Sequence, residues 1–189
     1  MKLASLRSLS FAAVTAAAIA LPSAAQAAPV AYVERSFSVA GGLAFAGSPF
    51  GIVSVELPLS LPLPIDFSVA VDAGYKHGGP MVGATAKALL LPSLLGNPPL
   101  ALAVVTRLSG GDVSPIGQGP RFSFGPLVSL DYSPFVFSAS IMGGIGGGPI
   151  GADLALTGTY YTDPLALDLT LAYSTGVGGQ VGLALRYLF

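Results

Sequence analysis

Apolar residues recur at every second position along most of the chain, and this period of two restricts the fold more than any other feature. In the last ten residues, one face of the segment carries Val181, Leu183, Leu185, Tyr187 and Phe189. The opposite face carries Gln180, Gly182, Ala184 and Arg186. Residues 165–174 repeat the pattern, with leucines opposite Asp168 and Thr170. Because successive side chains of a strand point to opposite faces, each such segment is predicted to be a β-strand with one apolar face.

Segments of this kind follow one another along the chain, each about ten residues long, which is the length of a tilted strand that crosses a membrane. Ten are predicted, at 36–46, 51–61, 65–76, 82–91, 100–109, 121–132, 135–143, 150–161, 165–174 and 180–189. Pro58 and Pro126 interrupt the second and sixth segments, and proline lacks the N–H that a central strand donates. A barrel of eight strands is therefore the alternative to ten.

The connections between these segments alternate between two kinds of sequence. One kind is rich in glycine and lies at 46–51, 77–80, 109–120, 143–149 and 175–179. The other is mostly short, contains proline, and lies at 62–64, 92–99, 133–134 and 162–164. Transmembrane barrels have short periplasmic turns and longer outer loops. The order therefore predicts an all-β, antiparallel up-and-down transmembrane barrel with the proline turns and both termini at the periplasmic end.

Charged residues are scarce and fall on one face of the predicted strands. Only 9% of the residues are charged and 52% are hydrophobic, whereas typical soluble domains carry about 25% charged residues. The charged residues assigned to the strands are Glu56, Asp66, Asp72, Lys76, Lys87, Arg107, Asp131, Asp153, Asp168 and Arg186. All of them lie on the small or polar face. We therefore expect an interior ladder of charges, with the apolar face in contact with lipid.

Charges enclosed in a narrow barrel must pair, because an unpaired buried charge is very costly. We expect Asp72 to pair with Lys76 or Lys87, Asp153 with Arg107, and either Asp131 or Asp168 with Arg186. Large inward residues that would partly plug the lumen are Leu89, Leu91, Val105, Leu127 and Met142. The alternative function for the same charges is a narrow, weakly cation-preferring pore.

Aromatic residues concentrate near the ends of the predicted strands. One end carries Phe45, Phe50, Tyr75, Phe122, Phe124 and Tyr173. The other carries Phe67, Tyr132, Phe135, Phe137, Tyr160, Tyr187 and Phe189. Two aromatic girdles that flank an aliphatic band are typical of a barrel embedded in a bilayer, whereas a soluble core buries aromatic residues centrally.

The first residues have the pattern of a secretory signal peptide. Lys2 and Arg7 provide the positive start, and an apolar run follows at 11–21. Ala25 and Ala27 supply the small residues of a cleavage site. Residues 1–27 are therefore predicted to be removed on export, and residues 28–189 form a single barrel domain.

The C-terminal segment resembles the assembly signal of bacterial outer-membrane β-barrel proteins, in which an aromatic residue ends the last strand and apolar residues occupy alternate positions before it. The matching positions here are Gly182, Leu185, Tyr187 and Phe189. Overall the chain is similar to small barrels of the OmpX, OmpW and OmpA-barrel type. The resemblance implies location in the outer-membrane bilayer, and contact during biogenesis with the export and barrel assembly machinery.

Nothing in the sequence predicts catalysis, a cofactor or a metal site. The formal net charge of −1 lacks the basic excess that nucleic-acid binding needs, and the absence of cysteine excludes thiolate chemistry. The single histidine, His77, lies in a glycine-rich connection without a clear catalytic partner. We therefore predict an integral outer-membrane barrel with a structural, non-catalytic role, a narrow diffusion channel for small or apolar solutes being the alternative. The oligomeric state is left open.

Overall fold

The period-two pattern predicts the strands well. The structure, a computed structural model, describes residues 30–32, 37–46, 48–60, 62, 64–76, 79–94, 97–111, 120–146, 150–175 and 178–189. Its strands are β1 (Ser38–Ala46), β2 (Ser48–Leu59), β3 (Asp66–Lys76), β4 (Gly79–Leu91), β5 (Leu100–Gly111), β6 (Arg121–Tyr132), β7 (Phe135–Ile145), β8 (Gly151–Thr162), β9 (Leu165–Ser174) and β10 (Gly178–Leu188). The prediction of ten strands is confirmed, and the alternative of eight is wrong.

The ten strands form one closed antiparallel barrel in which every strand pairs with its neighbours in sequence. Closure is made by β1 and β10, where Ser38 lies opposite Leu188 and Phe45 lies opposite Val181. A closed sheet has no free edge, so every strand has a hydrogen-bonding partner on both sides. Within the described residues, no helix is long and apolar enough to cross a membrane.

The two prolines that raised doubt about the strand count are accommodated within strands. Pro58 lies beyond Glu56, the last residue of β2 that pairs with β1, and opposite Ser68 of β3. Pro126 lies opposite Val104 of β5. On the other side of Pro126, the pairing of β6 with β7 is interrupted, and a Cβ on the neighbouring Gly125 would overlap the carbonyl oxygen of Ile141.

Because the strands alternate in direction, the barrel has two distinct ends. We call the end where β1 begins and β10 ends the terminal end, and the opposite end the loop end. The proline-containing turns 133–134 and 163–164 lie at the terminal end, and the strand ends that flank the glycine-rich connections lie at the loop end. The predicted alternation of the two kinds of turn therefore corresponds to the two ends of one barrel.

Candidate functional site

The outward face of the barrel is apolar: among the described side chains it carries no charge, and its polar groups are the hydroxyls of Thr106, Thr162 and the outward tyrosines. Its large exposed aliphatic residues include Val71, Val82, Leu108, Ile141, Leu156, Leu169 and Leu183. Such a face would be unfavourable in water, because burial of apolar surface is worth about 25 cal/mol per Å².

Exposed aromatic rings border this band at both ends. The terminal end carries Phe37, Tyr132, Phe135, Phe137, Tyr160 and Phe189, and the loop end carries Phe45, Tyr75, Phe122, Phe124 and Tyr173. Several rings contact one another, as Phe135 and Tyr160 do with centroids 5.0 Å apart. Phe50 was predicted to belong to the loop-end girdle, and this is wrong. It faces the interior and is 7% exposed, because it shares the parity of Ile52 rather than that of Phe45.

The interior contains charged side chains that are paired. The most buried pair is Arg186 of β10 with Asp168 of β9, both 1% exposed. The arginine donates to both carboxylate oxygens, from Nη2 at 2.8 and 2.7 Å and from Nε at 3.2 Å. Thr159 of β8 donates a further hydrogen bond to Asp168 at 2.6 Å. The sequence predicted this pair as one of two choices for Arg186.

A second interior pair joins two strands that are not neighbours. Lys87 Nζ of β4 lies 2.8 Å from Glu56 Oε1 of β2. Ser68, on the strand between them, donates to the same carboxylate oxygen at 2.6 Å. Lys87 was predicted to pair with Asp72, and this is wrong, because the small Ser68 lets the lysine reach across β3 to Glu56.

Two further pairs near the loop end also bridge over a strand, and in both cases the residue crossed is glycine. Arg107 of β5 reaches Asp72 of β3 at 3.3 Å, across Gly83 of β4. Arg107 was predicted to pair with Asp153, and this is wrong. A side chain at position 83 would meet Asp72 at 3.3 Å, so the glycine keeps this path open.

The partner of Asp153 is Arg121, a residue that the sequence reasoning did not single out. Arg121 Nε of β6 lies 3.5 Å from Asp153 Oδ2 of β8. A Cβ on Gly144 of β7 would overlap the guanidinium, so this arginine lies directly over the glycine. Ser123 and Ser174 also donate to the Asp153 carboxylate. The sequence could have identified Arg121 as an inward residue, because it begins its strand and lies two positions before the inward Ser123.

Two of the predicted ladder residues, Asp66 and Asp131, stand apart from these pairs. Asp66 begins β3 and is exposed at the terminal end. Asp131 is half-buried near the same end, where it accepts a hydrogen bond from the Ser133 backbone at 2.8 Å. Lys76 ends β3 at the loop end, and its side chain lies outside the described part of the structure. Asp66 and Asp131 thus lie at the rim of the barrel.

A short segment ahead of β1, residues 30–32, lies inside the barrel. Val30 and Ala31 are almost fully buried, and Ala31 packs with Leu89, Ala101, Ala103, Val105 and Leu127. Tyr32 packs beside this cluster and donates from its hydroxyl to the Pro99 carbonyl at 3.2 Å. Burial raises the pKa of the Tyr32 phenol, and the negative charge of Asp131 raises it further. The sequence reasoning did not find this segment, because three residues are too few to show a period.

The predicted plugging residues divide into two groups. Leu89, Val105 and Leu127 are buried in the interior, with Met142 packed against them. Leu91 is exposed, because the register between β4 and β5 shifts between Leu89 and Leu91. A second apolar cluster lies inside the barrel nearer the loop end and consists of Ala44, Phe50, Ile52 and Met81.

The predicted assembly signal occupies the closing strand of the barrel. Leu185 faces outward, Gly182 faces inward, and Tyr187 and Phe189 lie at the terminal end. The Phe189 ring stacks on Phe37 with centroids 4.1 Å apart, and its backbone N–H donates to the Phe37 carbonyl at 3.1 Å. The last residue therefore joins the chain just before β1.

Several predictions concern residues outside the described part of the chain. These are the signal peptide with Ala25 and Ala27, and the loop histidine His77. Among the residues that the structure does describe, no group of three or more acidic, histidine or cysteine side chains is arranged to hold a metal ion.

Two solved structures resemble this chain at low sequence similarity. Both are structures of the KdgM porin, and one of them is the porin in complex with disordered oligogalacturonate. Each is 7% identical to this chain with a TM-score of 0.47, and the alignment covers 80% of this chain and 99% of the porin. No protein-family model matches the chain, and no curated protein matches it. Its function is therefore inferred from its own residues.

Proposed function

We propose that this protein is an integral β-barrel of the bacterial outer membrane, with both termini on the periplasmic side and a closed interior. Its role is structural and it carries no catalytic site. The observation that carries the proposal is the division of charge, since the described outward side chains are uncharged while the four described ion pairs lie inside. A water-soluble barrel has the reverse arrangement, with its apolar face inward.

The dimensions support the same conclusion. The strands are 9 to 13 residues long, and a tilted transmembrane strand needs about 9–11 residues. Aromatic rings at both ends of the band match the positions of the two membrane interfaces. The short turns at the terminal end are typical of the periplasmic side of such barrels.

The test is expression of the full-length chain in a bacterium with an outer membrane, followed by membrane fractionation and gel electrophoresis with and without boiling. We expect the protein in the outer-membrane fraction after alkaline washing, with faster migration of the unboiled sample because the folded barrel resists detergent. Recovery in the soluble fraction, with identical migration of boiled and unboiled samples, would overturn the proposal.

A narrow diffusion channel is the second candidate, and one observation favours it. On the β8–β10 side, the inward residues are mostly small and include Ala155, Thr170, Ala172 and Gly182. Eight strands give an interior just filled by side chains, and larger barrels have more space. Planar-bilayer recording distinguishes the two functions, since current steps from the unmodified protein favour the channel and a silent inserted protein favours the closed barrel.

A further inference from the structure

The residues just before β1 occupy part of the interior that the strands themselves leave unfilled. The wall beside them is built from small side chains at Ala101, Ala103, Ser129 and Ser138. Val30 and Ala31 fill this space and are 1% and 0% exposed. We call residues 30–32 the inner segment, and the wall around them its seat.

The wall holds the inner segment mainly through backbone atoms. Lys87 Nζ donates to the carbonyl oxygens of Val30 at 2.7 Å and Tyr32 at 3.0 Å. The Ala31 N–H donates to Ser129 Oγ at 2.8 Å. Such contacts hold a chain in place without covalent or metal linkage, and each shifts an equilibrium about fivefold.

Each wall group that binds the inner segment also has a partner within the wall. Lys87 keeps its ion pair with Glu56. Ser129 keeps the Ser138 hydroxyl at 2.6 Å, and the Pro99 carbonyl, which accepts from Tyr32, also accepts from the Asp131 N–H at 3.1 Å. Loss of a contact is very costly when it leaves a buried charge unpaired. Withdrawal of the inner segment leaves none, because Lys87 keeps Glu56.

We propose that the inner segment is a displaceable plug, and that its withdrawal from the seat opens a path for small polar solutes through the barrel. This inference rests on the proposed membrane function. The described ion pairs line the wall of this path, and each of their charges has a partner, while Asp66 and Asp131 lie at the terminal-end rim.

The first test compares the wild-type protein with a variant that lacks residues 30–32, each reconstituted in planar bilayers with potassium chloride. Each net hydrogen bond changes an equilibrium about fivefold, so loss of three or four raises the open probability on the order of 100-fold. Migration before and after boiling verifies that both proteins are folded and inserted. An inserted deletion variant that is no more conductive than the wild type would overturn the proposal.

The second test locks the plug in place and does not depend on the deletion variant folding. The chain has no cysteine, so Ala31→Cys combined with Ser129→Cys introduces a single defined crosslink between plug and seat. We expect the oxidised double variant to be silent, and reduction to restore conductance to the level of the Ser129→Cys single variant, which lacks the hydroxyl that accepts from the Ala31 N–H. The two single-cysteine variants are the controls and should not respond to oxidation. Equal conductance of the oxidised and reduced double variant would contradict the proposal.

Failure of this inference is distinguishable from failure of the proposed function. If the deletion variant inserts but carries no current, the plug proposal is wrong and the membrane-barrel proposal stands. If the wild-type protein never enters the membrane, both proposals are wrong.

Discussion

Arg186 Nη2 contacts both carboxylate oxygens of Asp168, with the two side chains on adjacent strands and each 1% exposed. The residue directly opposite Asp168 on β10 is Ala184. Arg186 is the next inward residue of β10, so its side chain contacts the carboxylate diagonally across the two strands. The pair lies on β9 and β10, directly beside the junction that closes the barrel. The pair therefore contributes to the stability of β10, one of the two strands that close the barrel.

Removal of one partner of this pair should be strongly destabilising. Asp168→Asn removes the carboxylate charge that accepts from Arg186, and breaking a buried pair in this way costs about 3–5 kcal/mol. Replacement of both residues, with Asp168→Asn and Arg186→Met, should cost less than the single change because no charge is left unpaired. Urea unfolding in lipid vesicles measures both effects. A double variant less stable than the single one would contradict this assignment.

A charge on the outward band should be costly only if the band faces lipid. Leu169 lies near the middle of β9 with 52% of its surface exposed. Leu169→Lys should reduce the free energy of unfolding in vesicles by about 2–4 kcal/mol, the cost of a lysine near the bilayer midplane. Ser60→Lys, at an exposed residue beyond the end of β2, is the control and should have little effect. A neutral or stabilising Leu169→Lys would indicate a water-exposed face.

Two neighbouring glycines of β7, Gly143 and Gly144, provide a matched test of whether Arg121 needs a glycine beneath it to reach Asp153. A Cβ on Gly144 would overlap the Arg121 guanidinium, whereas no atom lies within 4 Å of a Cβ on Gly143. Gly144→Ala should therefore displace Arg121 from Asp153 and cost about 1–3 kcal/mol, while Gly143→Ala should be close to neutral. Urea unfolding of the two variants compares them directly. Equal stabilities would show that Arg121 moves aside without loss.

The terminal aromatic residue should affect assembly as well as stability. Phe189→Ala removes the ring that stacks on Phe37 and contacts Tyr187, with centroids 4.1 and 4.6 Å away. Aromatic contacts of this kind are worth about 0.5–1.5 kcal/mol beyond the area that they bury. We expect slower barrel formation and accumulation of unassembled protein in the periplasm, measured by pulse labelling and fractionation. Phe135→Ala, which removes a girdle ring away from the C-terminus, is the control, and equal effects would argue against a special role for position 189.

Strand positions and inward or outward direction were predictable because they depend on local sequence. Along a strand, parity alone places Asp168, Thr170 and Arg186 on the interior face. The one aromatic residue placed on the wrong face, Phe50, lay in a segment assigned to a connection, so its parity was not used. The structure extends β2 back to Ser48 and gives Phe50 the inward parity of Ile52.

The pairing of interior charges was not predictable, because it depends on contacts between strands that are distant in sequence. Arg107 reaches Asp72 because a glycine, Gly83, occupies the intervening strand at the level of the pair. That arrangement requires the register of three strands, which a single sequence does not specify. The inner segment escaped prediction for a related reason, since its burial depends on how much space the finished barrel leaves.

The most direct test of an inside-out barrel is the accessibility of spin labels attached to single cysteines along β9, from position 167 to position 172. Oxygen concentrates in the bilayer core, whereas a water-soluble nickel chelate does not enter it. We predict high oxygen accessibility and low chelate accessibility at positions 167, 169 and 171, with reduced oxygen accessibility at 168, 170 and 172, because the strand alternates between lipid and interior. High chelate accessibility at positions 167, 169 and 171 would place the apolar face in water and contradict the account.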